Sequence, residues 1–145
     1  MKNERSLLVV DDERSLVDLV SYFLKREGFG VLCGKDGIDA FYSLLLHAPV
    51  LMLIDLCIPC ITGLEVIEQI RNDRKTAHVP IVAMSADSFL LEQAIAVGAD
   101  AVLAKPFVRE ELVEVVERHI GEPNRHAAPI GRTHVDRYSN HWSSS

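Results

Sequence analysis

Five polar side chains stand at or directly after the ends of short apolar runs. They comprise three carboxylates, a hydroxyl and a lysine ammonium: Asp11, Asp12, Asp55, Ser85 and Lys105. Because the carboxyl ends of parallel strands meet at one edge of a sheet, we expect these side chains to share one crevice. Carboxylates gathered in a crevice repel one another unless a cation lies between them. Oxygen ligands of this kind suit Mg²⁺, which proteins commonly hold through one or two carboxylates and a phosphate.

These residue types together indicate phosphoryl transfer. Asp55 directly follows the apolar run VLMLI, and a buried carboxylate without a partner is costly. We expect Asp55 to be the nucleophile and to form an acyl phosphate. The ammonium of Lys105 and the hydroxyl of Ser85 can then donate to phosphoryl oxygens beside the metal. For Asp55 taken alone, a simple role at the end of a strand is equally compatible with the sequence.

Apolar runs alternate with helical periodicity along the chain. The run at 50–54 is apolar throughout, as in a strand that helices cover on both faces. Strands that alternate with helices indicate right-handed crossovers and a parallel sheet between two helical layers. Periodicity alone leaves the strand order open. The spacing predicts strands at 6–10, 29–33, 50–54, 80–84 and 101–104, and helices at 14–27, 36–47, 63–74, 89–97 and 109–120.

The apolar positions also predict which helix faces are buried. In the second helix, Ile38, Phe41 and Leu45 recur on one face and predict its inward side. The start of the fourth helix, at 89–91, is apolar nearly all round, so part of it is a candidate contact surface. Three histidines lack an acidic or cysteine partner at ligand spacing and are interpreted as surface or interface residues. They are His47, His78 and His119.

Composition and charge exclude several classes of protein. The 145 residues suit one domain at 1–120, followed by a segment at 121–145 that is predicted to be a flexible C-terminal tail. The net charge of −6 argues against direct binding of nucleic acid. No apolar run approaches the roughly 20 residues of a membrane span, and acids follow the start too soon for a signal peptide. We therefore expect a cytoplasmic protein without membrane contact, and the three cysteines agree with a reducing compartment.

Five motifs in order give the stretch at 5–120 a strong resemblance to the receiver domain of two-component response regulators. The resemblance implies a flavodoxin-like, doubly wound α/β fold with a five-stranded parallel sheet in the order 2-1-3-4-5 and five helices. The motifs are the acid pair in VVDDE, the stretch from Asp55 to Gly63, Met84-Ser85-Ala86, Gly98-Ala99-Asp100 and Lys105-Pro106-Phe107.

The resemblance also implies roles for individual residues. Asp55 would accept a phosphoryl group from a sensor histidine kinase or a histidine phosphotransfer protein. Mg²⁺ would be bound by Asp12, Asp55 and the backbone carbonyl of Cys57, with Asp11 usually reaching the metal through water. Ser85, Ala86 and Lys105 would form the phosphoryl-binding and switch positions, and the bond before Pro106 would be cis. Such a protein is not an enzyme with substrate turnover, since it catalyses only its own phosphorylation and dephosphorylation.

In the family, Ser85 would move toward the phosphoryl group and change the face formed by helix 4, strand 5 and helix 5. That face would bind a downstream protein or a second copy of the chain. The sequence departs from the family at Val102, where an aromatic residue is usual. An aromatic side chain therefore cannot follow the movement of Ser85, and the usual output coupling is in question.

Two other functions remain open on the sequence alone. Cys57 and Cys60 form a Cys-x-x-Cys pair between a strand and a helix, a pattern that thiol-disulfide redox proteins use. The nearby acids argue against a stabilised thiolate, because Asp11, Asp12 and Asp55 would raise its pKa unless a metal compensates. A protein-binding module that acts without phosphorylation is the second alternative.

Overall fold

The computed structural model describes residues 5–120, in which five strands and five helices alternate. The predicted tail at 121–145 lies outside the described residues. No helix within 5–120 is long and apolar enough to cross a membrane. The elements are β1 (Ser6–Val10), α1 (Arg14–Arg26), β2 (Gly30–Gly34), α2 (Gly37–His47), β3 (Leu51–Asp55), α3 (Gly63–Asn72), β4 (Ile81–Ser85), α4 (Ser88–Val97), β5 (Ala101–Ala104) and α5 (Arg109–Ile120).

All strand pairs in the sheet are parallel, and the order is β2-β1-β3-β4-β5. This confirms the doubly wound α/β fold. The central strand β3 is buried at all five of its residues, as its apolar run predicted. In the register, Leu7 lies beside Leu51 and Met52 lies beside Ile81. The carboxyl ends of β1, β3, β4 and β5 consequently meet at one edge.

Two apolar cores lie on opposite faces of the sheet. One joins alternate strand residues to α2, α3 and α4, through side chains such as Ala40, Ile67 and Leu91. The other joins the remaining strand residues to α1 and α5, through side chains such as Val20 and Val116. Since successive strand residues point to opposite faces, each strand contributes to both cores and is held between the two helical layers.

The predicted inward face of α2 is wrong at two of its three positions, while the third, Phe41, packs against the core as expected. Ile38 and Leu45 are 60% and 54% exposed, whereas Gly37, Ala40 and Leu44 are buried. A Cβ added at Gly37 would lie 2.9 Å from Cγ2 of Val66 in α3, so the helix approaches its neighbour through its smallest side chains. A pattern that counts only large apolar residues misses a close helix contact of this kind.

The interpretation of His119 as a surface or interface residue is also wrong, although His47 and His78 are exposed as expected. His119 is 1% exposed, and its Nδ1 lies 2.8 Å from the carbonyl oxygen of Val115. It belongs to the buried side of α5, together with Leu112 and Val116. A buried imidazole that bonds within its own helix turn is a packing residue.

Arg71, in the last turn of α3, anchors the amino ends of β4 and β5. Its guanidinium donates to the carbonyl oxygens of Ala77, Val79 and Gly98 at 2.9, 2.7 and 2.8 Å. It also bonds the carboxylate of Asp100 at 2.8 Å, and that carboxylate accepts the N–H of Ile81. Arg71 and Asp100 therefore satisfy backbone groups of three segments at the edge opposite the crevice.

We expect Arg71→Ala to destabilise the fold by about 2–4 kcal/mol, because three carbonyl groups lose their donor and buried Asp100 loses its charged partner. The exposed Arg74→Ala serves as a matched control and should change stability by less than about 0.5 kcal/mol. Urea unfolding followed by circular dichroism measures both values. Equal losses in the two variants would contradict the anchoring role of Arg71.

Candidate functional site

The sheet brings four of the predicted residues to its carboxyl edge. Asp55 and Ser85 are the last residues of β3 and β4, while Asp11 and Lys105 directly follow β1 and β5. The register places Asp55 beside Met84 and Ser85 beside Ala104, so neighbouring strands end at the same level. The short loops after these strands then begin helices that cover the edge on both sides.

Lys105 links two carboxylates from different strands. Its Nζ lies 2.8 Å from Oδ1 of Asp55 and 3.1 Å from Oδ2 of Asp11. The Lys105 side chain is 20% exposed, and both carboxylates are buried. Because ion pairs with little solvent contact are weakly screened, this ammonium offsets much of the repulsion between the two acids.

Burial and charge oppose each other in the pKa values of these groups. Burial raises the pKa of Asp55; the hydrogen bond from Lys105 lowers it, and the charge of Asp11 raises it again, so the pKa lies above its ordinary value. Burial lowers the pKa of Lys105, but its bonds to Asp55 and Asp11 outweigh this effect and raise the pKa overall. Lys105 is therefore held in its charged, donating form.

Three carboxylates could hold a metal ion at this edge. Oxygen atoms of Asp11, Asp12 and Asp55 lie within 4.8 Å of one another. Oδ1 of Asp11 accepts the N–H of Glu13 at 2.9 Å, which orients this carboxylate, while Asp12 is exposed toward solvent. A donor set made only of carboxylate oxygens, with one side open to water, fits a hard divalent cation such as Mg²⁺.

The loop from β3 to α3 shapes the surroundings of Asp55. The N–H of Cys57 donates to Oδ2 of Asp55 at 3.2 Å. Thr62 begins α3 with a reciprocal pair of bonds to Glu65, so the helix start is well defined. Gly63 allows the loop to return onto β3, since a Cβ there would lie 2.7 Å from both the carbonyl oxygen of Asp55 and Cα of Leu56.

Ser85 is joined both to β5 and to α4. Its hydroxyl accepts the N–H of Asp87 at 2.9 Å, and its carbonyl oxygen accepts the N–H of Lys105 at 2.9 Å. Ala86 is exposed beside it, and the peptide bond between Lys105 and Pro106 is cis. The hydroxyl, the ammonium and Asp55 therefore belong to one connected edge of the sheet.

Asp87 is a residue that the sequence reasoning missed. Its carboxylate accepts the N–H groups of Phe89 and Leu90 and so caps α4, while its own N–H bonds Ser85. The signal was present in the sequence, because an aspartate directly before an apolar helix is a typical N-cap.

Val102, where the family usually has an aromatic residue, is buried. It is 7% exposed and belongs to the core that packs against α2, α3 and α4.

A doubly wound parallel sheet with an acidic cluster and a lysine at its carboxyl edge defines the class of receiver domains. The family model of the response regulator receiver domain matches residues 7–117. The chain therefore belongs to this family, whose members act as signalling switches in two-component phosphorelays.

Solved structures with the same fold include several bacterial receiver domains. The chemotaxis response regulator CheY4 of Vibrio cholerae is 27% identical, with 80% of this chain and 98% of that chain covered and a TM-score of 0.75. The receiver domain of NtrX from Brucella abortus is 29% identical, with 79% and 98% covered and a TM-score of 0.74.

The receiver domain of the sensor histidine kinase PA1611 from Pseudomonas aeruginosa is 28% identical. It covers 83% of this chain and 100% of its own, with a TM-score of 0.76. That structure has a magnesium ion coordinated in its active-site cleft.

We expect Gly63→Ala to destabilise the protein by about 2–3 kcal/mol, because the added methyl group meets backbone atoms that cannot rotate away. Gly34→Ala is the matched control, since the same methyl group there would meet Cβ of Asp39 at 3.0 Å rather than backbone at 2.7 Å. Thermal unfolding of both variants measures the difference. If Gly34→Ala were the more damaging change, the close return of the loop at Gly63 would not be the constraint described.

Proposed function

We propose that this receiver domain is a phosphorylation-controlled switch that accepts a phosphoryl group on Asp55 from a sensor histidine kinase or a histidine phosphotransfer protein. The observation that supports this most directly is the position of Asp55. Its carboxylate lies at the carboxyl edge of the central strand, is bonded by Lys105, and shares an acidic cluster with Asp11 and Asp12. A carboxylate, an ammonium and a cation-binding cluster are the parts that phosphoryl transfer to an acid requires.

In the proposed reaction, a carboxylate oxygen of Asp55 attacks the phosphorus of a phosphohistidine. The new P–O bond forms an acyl phosphate, and the P–N bond breaks. The electron pair of that bond stays on the imidazole nitrogen of the donor histidine. When the other ring nitrogen is already protonated, the donor leaves as a neutral imidazole. Nζ of Lys105, which contacts Asp55 and Asp11, would donate to a phosphoryl oxygen as negative charge develops there.

Mg²⁺ is the proposed cofactor. Asp11, Asp12, Asp55 and the backbone carbonyl of Cys57 would hold it, and the bound ion would neutralise charge on the phosphoryl oxygens. The three carboxylates lie close enough to share an ion, and they offer oxygen ligands, which hard cations such as Mg²⁺ prefer. The magnesium ion in the related PA1611 domain supports it as well.

The switch would read the phosphoryl group through Ser85, Ala86 and Lys105 and present a changed surface on α4, β5 and α5. Phe89 in α4 and Val108 before α5 are 64% and 58% exposed, so this face offers apolar contacts to a downstream protein or a second copy of the chain. We expect no direct nucleic-acid contact at a net charge of −6, and we place the protein in the cytoplasm, where kinase domains meet receivers. Turnover of a separate substrate is not part of this function.

We expect wild type incubated with acetyl phosphate to gain one phosphoryl group in the presence of Mg²⁺ and none after chelation. Asp55→Asn should gain none, because an amide oxygen is a far weaker nucleophile than a carboxylate. Intact-mass spectrometry measures the adduct, and peptide mapping locates it. A label on another residue of wild type, or an adduct retained in Asp55→Asn, would contradict the assignment.

If acetyl phosphate gives no adduct under any condition, the assay is repeated with a phosphorylated kinase or phosphotransfer domain as the donor. If these also fail to label Asp55, the protein acts as a binding module without phosphorylation, and the proposed function is wrong.

We expect Lys105→Ala to fold but to be phosphorylated on the order of 100-fold more slowly, because one preorganised donor to the phosphoryl oxygens is lost. It should also lose the amide shifts at Ser85 and Ala86 that follow phosphorylation in a two-dimensional NMR spectrum. The exposed Lys75→Ala is the control for loss of one positive charge. An unchanged rate and unchanged shifts in Lys105→Ala would remove Lys105 from the site.

A further inference from the structure

Two exposed thiols lie in the loop that follows the phosphoacceptor strand. Cys57 and Cys60 are free, and they are three residues apart between the end of β3 and the start of α3. The phosphoryl-transfer function uses the backbone of Cys57 but neither thiol. The third cysteine, Cys33, lies on β2, which β1 separates from β3.

The loop is closed onto itself. The N–H of Gly63 donates to the carbonyl oxygen of Leu56 at 3.1 Å, so the chain returns to its starting point within seven residues. The backbone of Gly63 is in tight contact with Asp55 and Leu56, as the 2.7 Å approaches of an added Cβ indicate. Cys57 and Cys60 both lie inside this closed loop, and a spacing of three residues is compatible with the Cα separation that a disulfide needs.

The backbone at Cys60 gives no reason for a cysteine there. Its φ is 77°, and the N–H of Ile61 bonds the carbonyl oxygen of Pro59 at 2.9 Å, which forms a γ-turn centred on Cys60. A positive φ is costly for residues other than Gly, Asn and Asp. The turn therefore favours those residues, and the feature that distinguishes cysteine at this position is its thiol.

The same loop holds the phosphoacceptor. The N–H of Cys57 donates to Oδ2 of Asp55, and its carbonyl oxygen is a proposed ligand of Mg²⁺. A covalent restraint on Cys57 would therefore act both on its N–H, which contacts the carboxylate of Asp55, and on its carbonyl, which would contact the cation. Small displacements of such groups slow a reaction strongly, because only a narrow range of geometries around the reacting atoms is productive.

We propose that Cys57 and Cys60 are an oxidative modification site, at which a peroxide forms a disulfide within the loop and thereby slows phosphorylation of Asp55. One thiolate sulfur attacks a peroxide oxygen, the O–O bond breaks, and hydroxide leaves and takes up a proton to give water and a sulfenic acid. The second thiol attacks that sulfur, the S–O bond breaks, and a second water leaves. The two sulfurs lose two electrons, which the peroxide gains. The effect on Asp55 rests on the proposed function.

The test compares the full chain before and after treatment with hydrogen peroxide. Peptide mapping without reductant should show the peptide with residues 57–60 lighter by two hydrogen atoms, and dithiothreitol should reverse the change. Phosphorylation by acetyl phosphate and Mg²⁺ should be at least about tenfold slower in the oxidised protein and should recover on reduction. Titration calorimetry should show weaker binding of Mg²⁺ in the oxidised form.

Matched variants separate the loop disulfide from general oxidation. Cys33→Ser should keep both the disulfide and the slowed phosphorylation. Cys60→Ser should form no loop disulfide, and its own rate should be the same before and after peroxide. Oxidation that yields only sulfinic acids, a disulfide through Cys33, or a loop disulfide with unchanged phosphorylation and Mg²⁺ affinity would overturn the proposal.

Failure of the proposed function gives a different result. In that case the reduced wild type would take no phosphoryl group from any donor. The disulfide would still be detected by peptide mass. Its effect on the site would be measured through the affinity for Mg²⁺.

Discussion

The ion contacts of Lys105 are the interaction on which the site depends. Its ammonium bonds carboxylates that follow β1 and end β3, and it is itself delivered by β5, so three strands must end at the same level. Two buried carboxylates that share a site repel each other when both are ionised. The ammonium offsets this repulsion and leaves Asp12 and the solvent side available to a cation.

β4 and β5 are also held at their amino ends, opposite Lys105. Arg71 does this from α3, through carbonyl oxygens before β4 and β5 and through Asp100, whose carboxylate also accepts the N–H of Ile81. One cation thus organises each edge of the sheet. Arg71 is a structural group with every contact inside the fold, whereas Lys105 keeps a partly exposed side chain at the edge where a phosphoryl group would arrive.

Local patterns predicted the elements because the strands are short, mostly apolar runs and most of the helices show regular apolar spacing. The predicted ends of β3 and β4 stopped one residue early, at 54 and 84, since Asp55 and Ser85 look like loop residues but still pair in the sheet. The prediction for α2 failed at Ile38 and Leu45 because the helix approaches α3 closely at Gly37, a contact that large apolar residues do not indicate. The strand order and the roles of Ala86 and Cys57 came from family resemblance rather than from periodicity.

Contacts between distant residues could not be read from spacing. Lys105 and Asp11 are 94 positions apart, and only the parallel topology brings them to 3.1 Å. Ser85, in contrast, is linked to α4 by a local contact, two residues along the chain. Asp87 donates its N–H to the hydroxyl of Ser85 and caps the helix through the N–H groups of Phe89 and Leu90. A movement of Ser85 toward a phosphoryl group would therefore act on the first turn of α4, where Phe89 is 64% exposed. This route runs through backbone and a cap, so it needs no aromatic side chain at Val102.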